Sequence, residues 1–263
     1  MKKYQLVVRE DSQSREIAAW IEEKLQEHQW QRSEEPELVI AIGGDGTMLE
    51  AFHQFYRPEV ALVGLHTGRL GFYADWDRDE AEDFLHHLLF KTPRMVDYPL
   101  VEARFELGTG KVNRHLALNE VILRSKTLST FVLEVWINER RFESFRGDGI
   151  IVSTPSGSTG YNHSVGGSII HPSIEAIQVS ELAAINNREF RTLNRSFILP
   201  AHHVLDLYPK NPDRDILVGI DGKEHFITGL TRVRMQVAPE KLRFARYRIF
   251  PFWQRVREKF LVE

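Results

Sequence analysis

The chain has 263 residues, of which 42% are apolar and 27% charged, with a formal net charge of −3 at pH 7. These fractions exclude a collagen-like or disordered chain, and the near balance of acidic and basic residues gives no basic surface for a nucleic-acid backbone or an anionic membrane. The sequence contains no cysteine, which excludes a disulfide framework and thiolate chemistry. No apolar stretch is long enough for a signal peptide or a bilayer span, so we expect a cytoplasmic protein with a small-molecule ligand.

The first third of the chain predicts alternating strands and helices. The apolar runs that predict strands lie at residues 4–8, 38–42 and 60–65. The patterns that predict helices lie at residues 15–27, 48–52 and 77–90. This alternation is typical of a parallel sheet with crossover helices, so an α/β N-terminal domain is expected.

The remainder predicts a different fold. The short β-type runs lie at residues 101–107, 115–123, 131–137, 150–153, 196–199, 204–207, 216–220 and 232–237. Turn-forming residues separate most of these runs, which is typical of an all-β sandwich. The aromatic and basic tail at residues 243–260 is expected to pack on a neighbouring surface or subunit.

A glycine-rich loop follows the second predicted strand. Gly43-Gly44-Asp45-Gly46-Thr47 lies between this strand and a predicted helix, where ligands bind in open α/β sheets. Glycines let a phosphate chain approach backbone N–H groups, and a helix start favours negative charge. The carboxylate can accept a proton from an attacking hydroxyl or help to hold a divalent cation. The loop therefore predicts phosphoryl transfer.

The same loop has a simpler interpretation, a turn whose aspartate caps the helix. It matches neither a Walker A motif, because no lysine follows the glycine pair at the required place, nor the dinucleotide fingerprint GxGxxG. No Ser-His-Asp set occurs at a nucleophile elbow, which disfavours hydrolysis. A phosphate site and a structural turn are thus the two alternatives here.

A second group of small polar residues lies at 154–164, after Gly147-Asp148-Gly149 and before Gly166-Gly167. Its hydroxyl groups and glycines can hydrogen-bond a base or a ribose at close range. A solvated turn is the alternative, but the run is longer than a turn requires. We interpret the segment as a ligand cleft.

Two polar residues, Asn119 and Glu120, interrupt the apolar run at 116–123. Polar side chains in such a place need partners, and a ribose hydroxyl is one candidate. A solvent-exposed Glu120 on an alternating strand explains the pair equally well. The paired histidines at 86–87 and 202–203 point in different directions on a helix or strand, so no protein metal site is predicted from them.

Taken together, these motifs resemble the signature motifs of the NAD kinases. The resemblance covers nearly the whole chain, in order and at appropriate spacing, and is closest to the short NAD kinases of Gram-positive bacteria. Besides the motifs above, it includes His66-Thr67-Gly68, Leu70-Gly71-Phe72-Tyr73, Phe244-Ala245-Arg246 and Pro251-Phe252-Trp253. Two positions depart from the pattern: Gly160 replaces a common alanine, and Lys223 stands where many relatives carry glutamine.

The resemblance implies ATP-dependent phosphorylation of the adenosine-ribose 2'-hydroxyl of NAD, giving NADP, with inorganic polyphosphate as a further donor in some members. A divalent cation, Mg²⁺ or Mn²⁺, would enter with ATP, and the enzyme would be a homotetramer or at least a dimer. The implied fold is a Rossmann-like, phosphofructokinase-like α/β domain at 1–98 and an all-β sandwich NAD-binding domain at 99–237. The tail at 238–263 would pack back on the first domain.

The resemblance also assigns residues. Asp45 would be catalytic, Phe72 would contact the adenine, and Arg146 and Asp148 would recognise the other half of NAD. The implied phosphate-binding residues are Gly43, Gly44, Gly46 and Thr47. The implied NAD-binding residues are Asp45, Gly46, Phe72, Asn119, Glu120, Arg146, Asp148, Ser156, Thr159, Gly160, Tyr161, Ser164, Ala183, Ile185 and Asn187.

Two other functions are consistent with parts of the sequence. Lipid and sugar kinases share the loop at 43–47 but lack the combination of Asn119-Glu120 with the segment at 154–164. A noncatalytic NAD-binding regulator would keep the cleft, and an activity assay distinguishes it from an enzyme.

Overall fold

The chain divides into two units, one formed by Met1–Tyr98 with Lys241–Glu263 and the other by Pro99–Glu240. This computed structural model describes residues 2–68, 71–127, 129–188, 190–212 and 215–262. In that part of the chain, no helix combines the length and apolarity needed to cross a membrane.

Strands outnumber helices along the chain. The strands, in chain order, are β1 (Lys3–Val8), β2 (Gln31–Arg32), β3 (Leu38–Gly43), β4 (Ala61–His66), β5 (Trp76–Asp77), β6 (Arg94–Leu107), β7 (Val112–Ala117), β8 (Glu120–Ser125), β9 (Phe131–Ile137), β10 (Arg140–Gly147), β11 (Gly149–Ser153), β12 (Ala176–Leu182), β13 (Phe197–Pro200), β14 (Leu205–Pro209), β15 (Ile216–Ile220), β16 (Lys223–Ile227) and β17 (Leu230–Arg246). The α-helices are α1 (Ser12–Glu27), α2 (Asp45–Phe55), α3 (Ala81–Phe90), α4 (Tyr161–Ser164) and α5 (Phe252–Phe260). Single 3₁₀ turns form at Arg78–Glu80 and Ser156–Thr159.

The sheet of the first unit is parallel. Its strands run in the order β2–β1–β3–β4, and Arg243 and Phe244 of β17 pair with β4. Strands β3 and β4 are continuous apolar runs and are almost entirely buried, as expected for a sheet covered on both faces. Their register places Gly43 beside His66, so the loops that follow both strands start at the same edge of the sheet. The predicted α/β architecture is confirmed.

Helix α1 shows why this part of the sequence forms helices. Asp11 caps it by accepting a hydrogen bond from the Ser14 amide at 2.9 Å, and Ala18, Ile21 and Leu25 follow at helical spacing on the buried face. The helix predicted at 77–90 is shorter than expected, because residues 78–80 form a 3₁₀ turn before α3.

The second unit is a sandwich of antiparallel sheets, as predicted. One sheet contains the neighbouring strands β10, β9, β14 and β17, with β6 pairing to β17 and β7, and the other has the order β13–β12–β11–β8–β15–β16. Apolar side chains from both sheets form one core, with fully buried members such as Phe105, Leu133, Val152 and Val218. This core fixes the positions of the loops at the strand ends.

Three strands of this unit were not predicted from the sequence, namely β10, β12 and β16, and neither were the two-residue strands β2 and β5 of the first unit. Strand β16 is an edge strand with four exposed residues, and β10 is an edge strand that begins with Arg140 and Arg141. Such strands lack the apolar pattern on which the prediction depends. The predicted strand at 115–123 is also wrong, because two separate strands, β7 and β8, occupy it and are interrupted at residues 118–119.

Candidate active site

The glycine-rich loop of the first unit connects β3 to α2. Gly43 is the last residue of β3, Gly44 is the N-cap of α2, and the Gly44 amide donates to Thr47 Oγ1 at 3.3 Å. A Cβ atom on Gly43 would lie 2.2 Å from that hydroxyl oxygen, so only glycine fits there. Gly46 is exposed, and a Cβ on it would meet no described protein atom within 4 Å. The open side of the loop is therefore available to a ligand.

Asp45 does not cap its own helix. Both oxygens of its carboxylate accept the Phe72 amide at 3.0 Å, and Oδ1 also accepts the Tyr73 amide at 3.2 Å. Gly71 makes this contact possible, because a Cβ on it would lie 2.1 Å from Asp45 Oδ1. The simpler interpretation of the loop, an aspartate that caps α2, is wrong, because a separate loop fixes the orientation of this carboxylate.

His66 is a polar residue near the same loop to which the sequence patterns assigned no role. It is 3% exposed, and its Nδ1 accepts the Gly68 amide at 3.1 Å. Burial lowers the pKa of His66, while the nearby Asp45 carboxylate opposes that shift. The imidazole is therefore neutral near pH 7, and its Nε2 lies 3.9 Å from the position of a Cβ on Gly44.

Phe72, the expected adenine contact, is 6% exposed. Its ring centroid lies 6.0 Å from those of Phe252 and Phe260 on α5, and Lys259 Nζ lies 5.0 Å above the ring. The tail was expected to pack on the first domain, but no sequence pattern indicated that its side chains would contact Phe72. The adenine contact of Phe72 stays a prediction, and the neighbouring Leu70 of the motif lies outside the described residues.

In the second unit, Asp221 explains the interruption between β7 and β8. Its carboxylate accepts the amides of Leu118 at 2.8 Å, Asn119 at 2.7 Å and Glu120 at 3.1 Å. Asp221 and Gly222 both have positive φ and form the two-residue turn between β15 and β16, the conformation that an Asp-Gly pair favours. The amides that bind this carboxylate are withdrawn from the sheet ladder, so the strand ends.

Glu120 is buried, contrary to the solvent-exposed alternative. It is 7% exposed, and among the described residues its Oε2 has no hydrogen-bond partner. Burial, followed by the charge of Asp221, raises the pKa of Glu120 to about 8. The carboxyl group is therefore protonated at neutral pH and can donate a hydrogen bond. A buried carboxyl oxygen without a partner is unusual in a folded protein, and a ligand would satisfy it.

The segment at 154–164 contacts the backbone of residues 118–119, where the sheet is interrupted, and is not a solvated turn. Thr154 Oγ1 and Ser156 Oγ donate to the Leu118 carbonyl at 2.6 and 3.0 Å. A Cβ on Gly157 would lie 2.1 Å from the Asn119 carbonyl oxygen, so the two backbones are in direct contact. A Cβ on Gly160 would lie 3.7 Å from Glu120 Oε2, which places Gly160 beside the carboxyl group that lacks a partner. Gly160, Tyr161 and Ser164 are exposed.

A further cluster of predicted residues in the second unit lies around Arg146. Its carbonyl accepts the Ile185 amide at 2.7 Å, and its guanidinium group lies 5.1 Å from the Phe190 ring centroid. Asn187 Oδ1 accepts the Phe190 amide at 2.8 Å. The residues predicted here that remain exposed are Asp148, Ala183, Ile185 and Asn187. The structure thus groups the predicted residues of this unit into two clusters, one at Glu120 and one at Arg146.

Sequence reasoning assigned no role to Asp221. The Asp-Gly pair directly after the apolar run at 216–220 is a turn signal, so the turn was detectable, but the partners of its carboxylate are more than 100 positions earlier in the sequence. Among the described residues, no group of three His, Asp or Glu side chains is placed to hold a metal ion. Any cation at this site would rely mainly on ligands from a bound phosphate chain and water.

The chain is similar to known NAD kinases in sequence and in fold. The chain is 49% identical over 238 residues to the NAD kinase of Shouchella clausii, covering 88% of each chain, and 43% identical over 263 residues to the NAD kinase of Staphylococcus epidermidis, covering 98% of this chain and 97% of the relative. The solved structure of yeast NADH kinase complexed with NADH superposes with a TM-score of 0.85 at 18% identity, covering 99% of this chain and 87% of the other, and shows the same fold. The protein is therefore a kinase, an enzyme that transfers a phosphoryl group.

Sequence models of two domains define the family. Residues 4–92 match the ATP-NAD kinase N-terminal domain, and residues 118–247 match the ATP-NAD kinase C-terminal domain. The chain belongs to the ATP-NAD kinase family. The predicted resemblance is confirmed, and the lipid-kinase, sugar-kinase and regulator alternatives are not favoured.

Proposed function

We propose that the protein transfers the γ-phosphoryl group of ATP to the 2'-hydroxyl of the adenosine ribose of NAD, giving NADP and ADP. The observation that supports this most is the orientation of Asp45, whose carboxylate is fixed by two amides at the start of α2, directly after a glycine-rich loop. A fixed carboxylate beside a loop suited to phosphate is the arrangement that phosphoryl transfer needs.

In the first unit, Asp45 accepts or orients the proton of the attacking hydroxyl. The 2'-oxygen forms a bond to the γ-phosphorus, the bond from that phosphorus to the β–γ bridging oxygen breaks, and ADP leaves with its electron pair. The two amides occupy only part of the acceptor capacity of the carboxylate, since an ionised carboxylate has about four lone-pair positions. Gly43, Gly44, Gly46 and Thr47 bind phosphate through the loop backbone and the start of α2.

In the second unit, Asn119 and Glu120 bind the nucleotide, and the protonated Glu120 donates to a ribose hydroxyl. Arg146 and Asp148 recognise the other half of NAD. The remaining proposed NAD-binding residues of this unit are Ser156, Thr159, Gly160, Tyr161, Ser164, Ala183, Ile185 and Asn187. The supporting observation is the buried Glu120 oxygen that has no partner in the described structure.

A divalent cation, Mg²⁺ or Mn²⁺, fits this proposal as part of the donor. Asp45 is the one carboxylate of the loop, and kinase sites use one or two carboxylates together with substrate phosphates to bind Mg²⁺. The cation neutralises negative charge on the phosphates when it is bound. The protein would be cytoplasmic. It would also be a homotetramer, or at least a dimer, and sedimentation of the purified protein measures the mass of this oligomer.

Transfer of labelled phosphate tests the reaction. Wild-type protein is incubated with ATP labelled in the γ-phosphoryl group, NAD and Mg²⁺, with NAD left out as the control. We expect the label in NADP, at the 2'-phosphate, and no labelled dinucleotide without NAD. Label found only in inorganic phosphate, or none transferred from either ATP or polyphosphate, would contradict the proposal and favour a noncatalytic regulator.

A further inference from the structure

The four-residue loop that orients Asp45 is itself bound by arginine side chains from the C-terminal tail. The amides of this loop, residues 71–74, donate to the Asp45 carboxylate at Phe72 and Tyr73. Arg255 Nη1 donates to the carbonyls of Gly71 at 2.8 Å and Ala74 at 2.5 Å. The backbone of the loop is thus held on one side by Arg255 and holds Asp45 on the other.

A second arginine reinforces this arrangement. Arg246, near the end of β17, donates from Nη1 to the Tyr73 carbonyl at 2.7 Å and to Asp75 Oδ1 at 2.6 Å. Arg246 and Arg255 are 5% and 6% exposed. Arginine is almost never fully buried unless it is paired, since removing its charge from water is costly. Both guanidinium groups donate to the backbone of the loop that orients the Asp45 carboxylate.

The helix that carries Arg255 is fixed on the same loop by apolar contacts. Phe252 and Phe260, at the two ends of α5, both lie against the Phe72 ring. Arg255 lies between them in sequence and is buried, whereas Arg257 on the same helix is exposed. Helix α5 therefore places one arginine on the loop and leaves another in solvent, which supplies a matched control.

We propose that Arg255 is a positioning residue for phosphoryl transfer: by bridging the carbonyls of Gly71 and Ala74, it fixes the amides that orient Asp45. The inference rests on the proposed function of Asp45. A planar guanidinium group can donate to two carbonyl oxygens at once in a fixed geometry, which a single ammonium group does less well. Lysine at position 255 should therefore retain part of the wild-type kcat, and glutamine should retain less.

Steady-state kinetics of the full-length protein test the inference. Arg255→Gln should lower kcat by about a hundredfold, the loss that a displacement of about 1 Å at a reacting group can cause. Arg255→Lys should lose less than Arg255→Gln, and the exposed control Arg257→Gln should keep the wild-type kcat. A wild-type kcat in both Arg255 variants would overturn the inference. If Arg255→Gln does not fold, Arg255→Lys decides: a clear loss of kcat at an unchanged melting temperature supports the inference, and a wild-type kcat overturns it.

A double-mutant cycle separates positioning from a general structural effect. Because Arg255 acts through Asp45, a substitution at Arg255 should cost almost nothing further in Asp45→Asn protein. A purely structural role would lower the residual activity of Asp45→Asn by the same factor as it lowers that of wild type, and would overturn the inference. Failure of the proposed function is distinguishable, since wild-type protein would then form no NADP at all.

Discussion

At the level of single residues, the two glycines Gly43 and Gly46 have different reasons to be glycine. A side chain on Gly43 would collide with Thr47, whereas one on Gly46 would meet no described protein atom. The protein's own packing therefore requires the first glycine and not the second. We attribute the glycine at position 46 to a ligand that approaches the backbone there, as the proposed phosphate and NAD contacts require.

Substitution of alanine at each position tests this difference. Gly46→Ala should keep or slightly raise the melting temperature, because alanine is better by up to about 1 kcal/mol within a helix, and should lower kcat/KM at least about tenfold. Gly43→Ala should lower the melting temperature, because the new methyl group has no space. Thermal unfolding and initial rates measure both effects. Full activity in Gly46→Ala would show that no ligand atom approaches this glycine.

The buried Glu120 should make the stability of the protein depend on pH. Its pKa rises from 4.5 to about 8 on folding, so the folded protein binds one proton more than the unfolded chain between these values. This contribution to stability is fully present below about pH 4.5 and is lost as the pH rises to about 8. Glu120→Gln does not titrate and should gain stability relative to wild type as the pH rises from 6, by about 1.4 kcal/mol for each pH unit until the pH reaches about 8, where the gain levels off.

Chemical unfolding at several pH values measures this difference. Glu224→Gln is the control, since Glu224 is exposed on β16 at the edge of the same sheet and its replacement should give no such trend. A stability difference between Glu120→Gln and wild type that does not change with pH would contradict a buried, protonated Glu120.

At the level of elements, the hairpin of β15 and β16 determines where β8 begins. The Asp221 carboxylate in its turn accepts the three amides that interrupt the sheet. Because Asn also tolerates the positive φ of this position, Asp221→Asn changes the carboxylate with little change in the turn. Its amide NH₂ group would face one of the donors, and we expect a loss of about 1–3 kcal/mol of unfolding free energy.

A matched substitution keeps this test specific. Asp215→Asn removes a half-exposed carboxylate of the same unit that pairs with Lys126 and accepts the Thr228 hydroxyl, and should cost no more than about 1 kcal/mol. Equal stability losses in the two variants, measured by urea unfolding, would show that Asp221 does not have the role assigned to it.

Some strands could be predicted from the sequence and others could not. The buried runs of β3 and β4 and the alternating strand β9 have apolar patterns that predict them directly. The interruption at residues 118–119 could not be predicted, because an aspartate about 100 positions later causes it. The edge strands β10 and β16 lack a regular apolar pattern and were not predicted for that reason.

For the whole molecule, the family and both fold types were predictable because the motifs are local and ordered along the chain. The loop at 43–47 and the pair Asn119-Glu120 are short enough to recognise in one sequence. The environment of those residues was not predictable, since it depends on contacts between distant segments. Arg255 and its carbonyl partners are separated by more than 180 positions, and no local pattern marks such an arginine.

Comparison of wild type with Asp45→Asn tests most directly whether Asp45 acts as the proton acceptor in phosphoryl transfer to NAD. NADP formation from NAD, ATP and Mg²⁺ is measured together with NAD binding by calorimetry, with Glu50→Gln, an exposed acid on the same helix, as the control. We predict that Asp45→Asn still binds NAD but loses at least about a hundredfold in kcat, as expected for a general base, while Glu50→Gln retains wild-type activity. A wild-type rate in Asp45→Asn would contradict the account.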